Sequence, residues 1–187
     1  MKGAKIGVTV ALVAVAAAAG LLFMNVVENT WLIQSRDGCL QHLNALHVKL
    51  GTYRSSQAAS NYPFRLRDMP WGSADASNLV CPSSHSQVGS LSNAEEWTDY
   101  IYVVDSGGKH TTDFGGQHAM DMPQLLCPPA NHFGRSGLIL YSEGAVRSMW
   151  LDEFDRFVES IYVDTNLAIH VSAALTRRSK GRYKSRP

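Results

Sequence analysis

The chain begins with a long apolar run that carries no charged side chain between Lys5 and Glu28. A helix that crosses a bilayer needs about 20 apolar residues, so this run is long enough to be a membrane span. Lys2 and Lys5 precede it, and basic side chains favour the cytoplasmic side of a membrane. The pattern predicts a single-pass anchor with a cytoplasmic N-terminus. The alternative is a cleaved signal peptide, because the small residues at 16–20 also suit signal peptidase.

After the apolar run the pattern becomes amphipathic. Apolar residues recur at steps of four and three, which places them on one face of a helix. No proline interrupts the chain between the two halves. We therefore expect one helix of about 50 residues, roughly 75 Å long at 1.5 Å per residue. Its second half should pack on a globular head through Cys39, Leu43, Leu46, Leu50 and Tyr53.

The rest of the chain predicts a small antiparallel sheet and a second helix. Residues 97–104 have the aromatic and β-branched content of a strand, and residues 124–127 are a candidate for a second short strand that Pro128 and Pro129 end. Residues 138–141 and 145–150 predict a hairpin in which Gly144 supplies a positive φ. Asp152 is expected to cap a helix that buries Phe154, Phe157, Val158 and Ile161; residues 167–174 either extend this helix or form a separate short element. The predicted fold class is α+β, with the long N-terminal helix packed on the sheet.

Charge and length define the domain boundaries. The 187 residues allow a membrane-anchoring part at 1–30, one globular head at 31–175 and a basic tail at 176–187. Six of the 17 basic side chains lie in the last eleven residues, which contain no acidic one. The tail is expected to be disordered. It is a candidate for contact with acidic envelope polymers or neighbouring subunits.

Four segments in succession resemble landmarks of the type II secretion pseudopilin-like proteins. They are residues 36–44 around Cys39, residues 53–63 from Tyr53 onward, the Cys81-Pro82-Ser83 segment, and the segment from Asn131 to Gly144. The last of these resembles the family's motif of a histidine, ten residues and an acidic residue followed by glycine. Its residues are Asn131, His132, Gly134, Gly137, Glu143 and Gly144.

The resemblance implies a type IV pilin-like fold and a structural function. It implies prepilin-type processing at Gly3 and Ala4, a location in the bacterial inner membrane, and a head in the periplasm or in an extracytoplasmic filament. Subunits would form homo- or hetero-oligomers with other pilin-like chains through bundled helices and head contacts. Val8 stands where the family has a glutamate, which implies a divergent or minor component. No nucleic acid partner is expected. The alternative is a tethered or secreted binding module.

The three cysteines are candidates for a disulfide in an exported head. Cys39 lies on the helical stripe and Cys81 is one of the family landmarks, which favours a bridge between them, with Cys127 as the other possible partner. The hypothesis that all three are small buried apolar side chains stays open. Cys39 and Cys81 with His42 and His85 have the residue types of a zinc site, but their spacing matches no known finger. His110, Asp113 and His118 form a second, weaker metal hypothesis.

The sequence favours a protein that is not an enzyme. The chain lacks the Gly-x-Ser-x-Gly, P-loop, His-Glu-x-x-His and Gly-x-Gly-x-x-Gly patterns. His132 has Asn131, Arg135 and Glu143 near it in sequence, but nothing there supplies a nucleophile and a pocket. We expect His132 and Asn131 to bond backbone groups at the start of the hairpin. No catalytic, cofactor-binding or metal-ligating residue is predicted.

Overall fold

The computed structural model describes residues 2–57, 62–84, 86–105, 122–165 and 167–185. It consists of two compact units, Met1–Ser35 and Arg36–Pro187, and the second is called the globular unit below. The helices and strands are α1 (Lys2–Ser56), α2 (Ala94–Trp97), β1 (Ile101–Asp105), β2 (Pro123–Cys127), β3 (Ser136–Tyr141), β4 (Val146–Trp150), α3 (Leu151–Val163), β5 (Leu167–His170) and α4 (Ala173–Arg178). The fold is α+β, as predicted.

Helix α1 forms as the sequence predicts, because no proline lies between its first and last residues. It contains an 18-residue window that is apolar enough to cross a membrane, and no residue of that window is buried. Leu21, Leu22, Phe23 and Met24 are among the exposed apolar side chains. Length and composition therefore permit a membrane span near the N-terminus.

The globular unit is organised around one antiparallel sheet of five strands. Their order is β4-β3-β2-β1-β5, and every neighbouring pair is antiparallel. The predicted β3–β4 hairpin is present, and Gly144 has the expected positive φ of +94°. The tip of the hairpin lies against α1, since a Cβ at Gly144 would be 2.7 Å from the Nε2 atom of His47.

Both faces of the sheet are covered, and side chains alternate between them along each strand. Tyr102, Val104, Leu125 and Leu140 belong to the core that includes α1 residues Cys39, Leu43, Leu46 and Leu50, with Tyr53 packed at its margin. Ile101, Val103, Leu126 and Ile139 belong to the core that includes α3 residues Phe154, Val158 and Ile161, with Phe157 at its margin. The predicted stripes of both helices are confirmed. A fully buried leucine stabilises the fold by about 1.5 to 3 kcal/mol.

Two sequence predictions differ from the structure, and the structure decides between the two alternatives for residues 167–174 in favour of a separate element. Residues 94–97 form the short helix α2, so the strand predicted to start at Trp97 starts at Ile101; Glu95 and Glu96 in its first turn favour the helix. Trp150, not Asp152, occupies the N-cap position of α3. The segment after α3 forms the edge strand β5, which pairs with β1 from Tyr102–His170 to Asp105–Leu167.

The C-terminal segment is also different from the expectation of a disordered tail at 176–187. Residues up to Arg178 complete α4, and Tyr183 is only 2% exposed. The Tyr183 hydroxyl donates a hydrogen bond to Asp155 of α3 at 2.9 Å, and Arg178 forms an ion pair with the buried Asp99. These long-range partners order a segment whose local composition alone is typical of a solvated tail.

Replacing Gly137 by alanine is expected to destabilise the globular unit by about 3 kcal/mol, the upper end of typical overpacking effects. A Cβ there would lie 2.3 Å from Cδ2 of Phe154 and 2.9 Å from the backbone oxygen of Cys127. Gly51→Ala in α1 is the matched control, because a Cβ at Gly51 meets nothing within 4 Å. It should stabilise the helix by about 0.5 to 1 kcal/mol. Urea unfolding of both variants measures the difference, and equal stabilities would contradict the prediction.

Candidate functional site

Four side chains from distant parts of the sequence converge inside the globular unit. Cys39, Cys81, Cys127 and His132 place their sulfur and ring nitrogen atoms within 4.8 Å of one another, and all four residues are buried. Nε2 of His132 lies 3.2 Å from Sγ of Cys127 and 3.7 Å from Sγ of Cys81. We call these four residues the Cys3His cluster.

Each member of the Cys3His cluster is positioned by a different element. Cys39 lies on the buried stripe of α1, next to Gly38, whose missing side chain lets Pro82 approach; a Cβ there would be 3.3 Å from Cγ of Pro82. Cys81 follows the 3-10 helix Ser73–Leu79. Cys127 ends β2, and His132 follows the 3-10 turn Pro129–Asn131, with its backbone N–H bonded to the oxygen of Pro129. The packing of α1 on the sheet therefore closes the cluster.

A polar network anchored on Asp99 holds two of these segments in place. The Asp99 side chain is fully buried and accepts hydrogen bonds from the backbone N–H of Cys81 at 2.8 Å and from the hydroxyls of Ser84 and Ser86. It also accepts one from Arg178 at 2.5 Å.

Asn131 connects this network to the histidine. Its amide donates to the backbone oxygen of Asp99 at 2.8 Å, and its side-chain oxygen accepts from Arg178 at 2.7 Å. Because Asn131 precedes His132 directly, the same network that fixes Cys81 also fixes the turn that carries His132.

Hydrogen bonding and burial shift the pKa values of the cluster thiols in different directions. Hydrogen bonds from the thiols of Cys127 and Cys39 lower the pKa of the Cys81 thiol, and interaction with His132 acts in the same direction. Burial raises the pKa of the Cys127 thiol. Asn131 Nδ2 donates to Sγ of Cys127 at 3.4 Å, and the Tyr100 hydroxyl lies 3.9 Å from Sγ of Cys39. Each of the sulfurs of Cys127 and Cys39 therefore has one polar side-chain group beside it, in addition to the other members of the cluster.

No protein family, characterised protein or solved structure matches this chain. The chemistry of the Cys3His cluster therefore has to follow from its own side chains. Thiolates and an imidazole are the donors that zinc prefers in proteins, and a set of three cysteines and one histidine is one of its structural donor sets. The same thiols are also close enough to take part in oxidation chemistry.

The predicted cysteine and histidine sites have different outcomes. The three cysteines predicted as disulfide candidates do come together, and the structure gives them as free thiols. Pairing between Cys39 and Cys81 stays a prediction. The zinc hypothesis was partly wrong: His42 does not join Cys39 and Cys81, because its Nδ1 atom lies 2.8 Å from the backbone oxygen of Val80. His85, His110, Asp113 and His118 lie outside the described residues.

The hairpin motif residues have structural positions. Asn131 bonds a backbone group, as predicted, but that group belongs to Asp99 and not to the hairpin, and His132 faces sulfur atoms. Gly134 and Gly144 have positive φ, Gly137 lies under Phe154, and Glu143 precedes the turn glycine. Gly3 and Ala4 lie in the first turn of α1, and processing there stays a prediction.

Sequence analysis missed His132 as a partner of the cysteines and missed Asp99 and Arg178 altogether. One local signal was present: His132 follows Cys127 by five residues, and the two prolines between them favour a tight turn that can bring both side chains to one point. No local signal connects Asp99 with Arg178, because 79 residues separate them.

Proposed function

We propose that this chain is a membrane-anchored structural subunit of an envelope assembly, of the kind that pseudopilins form. One observation carries the proposal: the same helix, α1, contains the exposed apolar window and the buried stripe of the globular unit. The helix that would anchor the chain thus also supplies part of the core of the globular unit. A protein whose anchor is only a tether has no need of this arrangement.

The composition of the apolar window supports association between subunits. A helix that is apolar all round lies in a protein core or in a membrane. Residues 16–20 are four alanines and a glycine, and small residues four apart let membrane helices approach closely. Bundling of several such helices in the inner membrane, with globular units outside, is the mechanism that we propose. It requires no catalytic residue, cofactor or nucleic acid.

The anchor is tested by placing charge in the apolar window. Arginine at the centre of a membrane helix is unfavourable by about 2.5 to 3.5 kcal/mol, so Ala17→Arg/Leu22→Arg should weaken insertion by roughly 6 kcal/mol. The matched control is Val48→Arg/Thr52→Arg, at exposed positions of α1 within the globular unit. After cell fractionation we expect the first variant to leave the carbonate-resistant membrane fraction and the control to remain there. Equal membrane retention of both would contradict the anchor.

Assembly is tested separately from anchoring. A photo-reactive residue in place of Leu21, which is 69% exposed, should cross-link the chain to itself or to other small membrane subunits in cells. Mass spectrometry of the mature N-terminus completes the test. A start at Ala4 supports pilin-type processing and a start at Met1 a plain anchor. A soluble product that begins near residue 20 to 25, without cross-links, would instead establish a released binding module.

A further inference from the structure

We infer that the Cys3His cluster binds one zinc ion and that this ion fastens α1 to the sheet of the globular unit. The inference concerns residues 39–132 and is independent of the proposed membrane function. It rests on three features of the cluster: the geometry of its donor atoms, its complete burial, and the polar groups that surround the sulfurs.

The geometry is close to that of a tetrahedral zinc site. With Zn–S bonds of about 2.3 Å and a Zn–N bond of about 2.0 to 2.1 Å, a tetrahedron places sulfurs roughly 3.8 Å apart and sulfur and nitrogen roughly 3.5 Å apart. The two distances from Nε2 of His132, 3.2 Å to Sγ of Cys127 and 3.7 Å to Sγ of Cys81, lie on either side of the ideal sulfur–nitrogen distance. All pairs of donor atoms lie within 4.8 Å, so adjustments of about 1 Å or less complete the tetrahedron.

Burial defines the kind of site. The three cysteines are completely buried and His132 is 3% exposed. Four protein donors fill the coordination of a structural zinc ion and leave no position for water or substrate, whereas catalytic zinc keeps one position open. The Cys3His cluster is therefore suited to holding the fold together and unsuited to catalysis.

Two other interpretations of the cluster explain less of it. Three buried cysteines can act as small apolar side chains, but that does not explain why a buried imidazole nitrogen faces two of their sulfurs. A disulfide uses two sulfurs and leaves the third thiol and His132 without a role. Zinc binding uses all four donors at once, and each thiol that binds gives up its proton.

The surrounding polar groups suit bound thiolates. Asn131 donates to the sulfur of Cys127, and the Tyr100 hydroxyl lies within reach of the sulfur of Cys39. Hydrogen bonds of this kind orient metal ligands and tune their charge. The Asp99 network adds rigidity, because it fixes the backbone at Cys81 and the residue before His132. The donor atoms are thus held near their binding positions by the fold itself.

The test is metal binding by the full chain in detergent, reduced with a phosphine that does not chelate metals. We expect one zinc per chain after gel filtration. We also expect Co²⁺ added to the metal-free chain to give the intense visible absorption of tetrahedral cobalt with thiolate ligands. His132→Asn and Cys127→Ser each remove a proposed zinc ligand and should weaken zinc binding by at least about 100-fold. Loss of a group that only hydrogen-bonds to a ligand can already weaken binding by about 100-fold.

The matched control is His42→Asn, three residues after Cys39 on the same helix. It should keep one zinc per chain, because His42 contacts the backbone of Val80 and not the cluster. A wild-type chain that is folded and reduced but binds neither zinc nor cobalt would overturn the inference. So would loss of zinc in His42→Asn together with retention in His132→Asn. A chain whose mass shows a disulfide that survives the phosphine would also overturn it. If Cys127→Ser fails to fold, the wild-type and His132→Asn measurements decide the question alone.

Discussion

Removing zinc from the reduced full chain is expected to lower its melting temperature by about 12 °C. Zinc at roughly a thousand times its dissociation constant stabilises the folded state by about 4 kcal/mol. In a unit of about 150 residues, each kcal/mol shifts the melting temperature by roughly 2 to 4 °C. The effect should be this large because Cys39 belongs to α1 and Cys127 to the sheet, whereas Cys81 lies between α1 and β1 and His132 between β2 and β3. One ion joins them all.

The measurement is a thermal melt in detergent, followed by near-ultraviolet circular dichroism, with excess zinc or with excess chelator. His132→Asn is the internal control, since a chain that binds zinc weakly should melt at the same temperature in both conditions. His42→Asn should keep a difference in melting temperature between zinc and chelator, because its zinc ligands are intact. A wild-type melting temperature that is the same with zinc and with chelator would show that the cluster contributes to stability only through packing.

Arg178→Met is expected to destabilise the globular unit by about 3 kcal/mol, the lower end of the range for breaking a buried ion pair. The lower end applies because the Arg178 side chain is 27% exposed, whereas its partner Asp99 is fully buried. Methionine keeps the apolar part of the arginine but leaves the Asp99 carboxylate without its cation. Asn131 loses a hydrogen-bond donor at the same time.

The same substitution should also weaken zinc binding. Asp99 holds the backbone of Cys81, and Asn131 precedes His132, so loss of Arg178 loosens two of the segments that present metal ligands. Losing such a supporting group typically weakens metal binding by about 10- to 100-fold. Arg177→Met is the matched control, because Arg177 is the exposed neighbour in the same helix. Its effect on stability should stay within about 0.5 kcal/mol. Equal effects of the two substitutions on unfolding and on zinc affinity would contradict this role for Arg178.

Much of the architecture could be predicted from local patterns. The spacing of Leu43, Leu46 and Leu50 predicted the buried stripe of α1, and glycine at position 144 predicted the turn between β3 and β4. These two predictions are correct because periodicity and turn chemistry depend on residues that are close in sequence. They do not depend on distant partners.

Two features that local patterns did not decide or missed involve partners that are distant in sequence. The short apolar segment Leu167–His170 becomes a strand because β1 offers it a free edge, and no property of those four residues requires that pairing. Likewise, Arg178 is ordered by Asp99, although its neighbours in sequence are basic and polar. The order of the C-terminal segment could not be predicted without knowing that Asp99 and Asp155 lie beside it.

The candidate site was also predictable only where local patterns determine it. The sequence predicted that Cys39 and Cys81 come together, since one lies on the helical stripe and the other begins a resembling motif. The weaker zinc hypothesis grouped His42 with Cys39 because helical spacing places them side by side, but the His42 side chain contacts the backbone of Val80. His132 reaches the cysteines only through the position of β2 and the turn that follows it. Local spacing cannot supply that information.

Extended X-ray absorption fine structure at the zinc edge, measured on the reduced full chain, tests the proposed Cys3His zinc site most directly. The predicted spectrum has three sulfur neighbours at about 2.3 Å and one nitrogen neighbour at about 2.0 to 2.1 Å. A shell of oxygen and nitrogen neighbours alone, or a folded chain that retains no zinc, would contradict it.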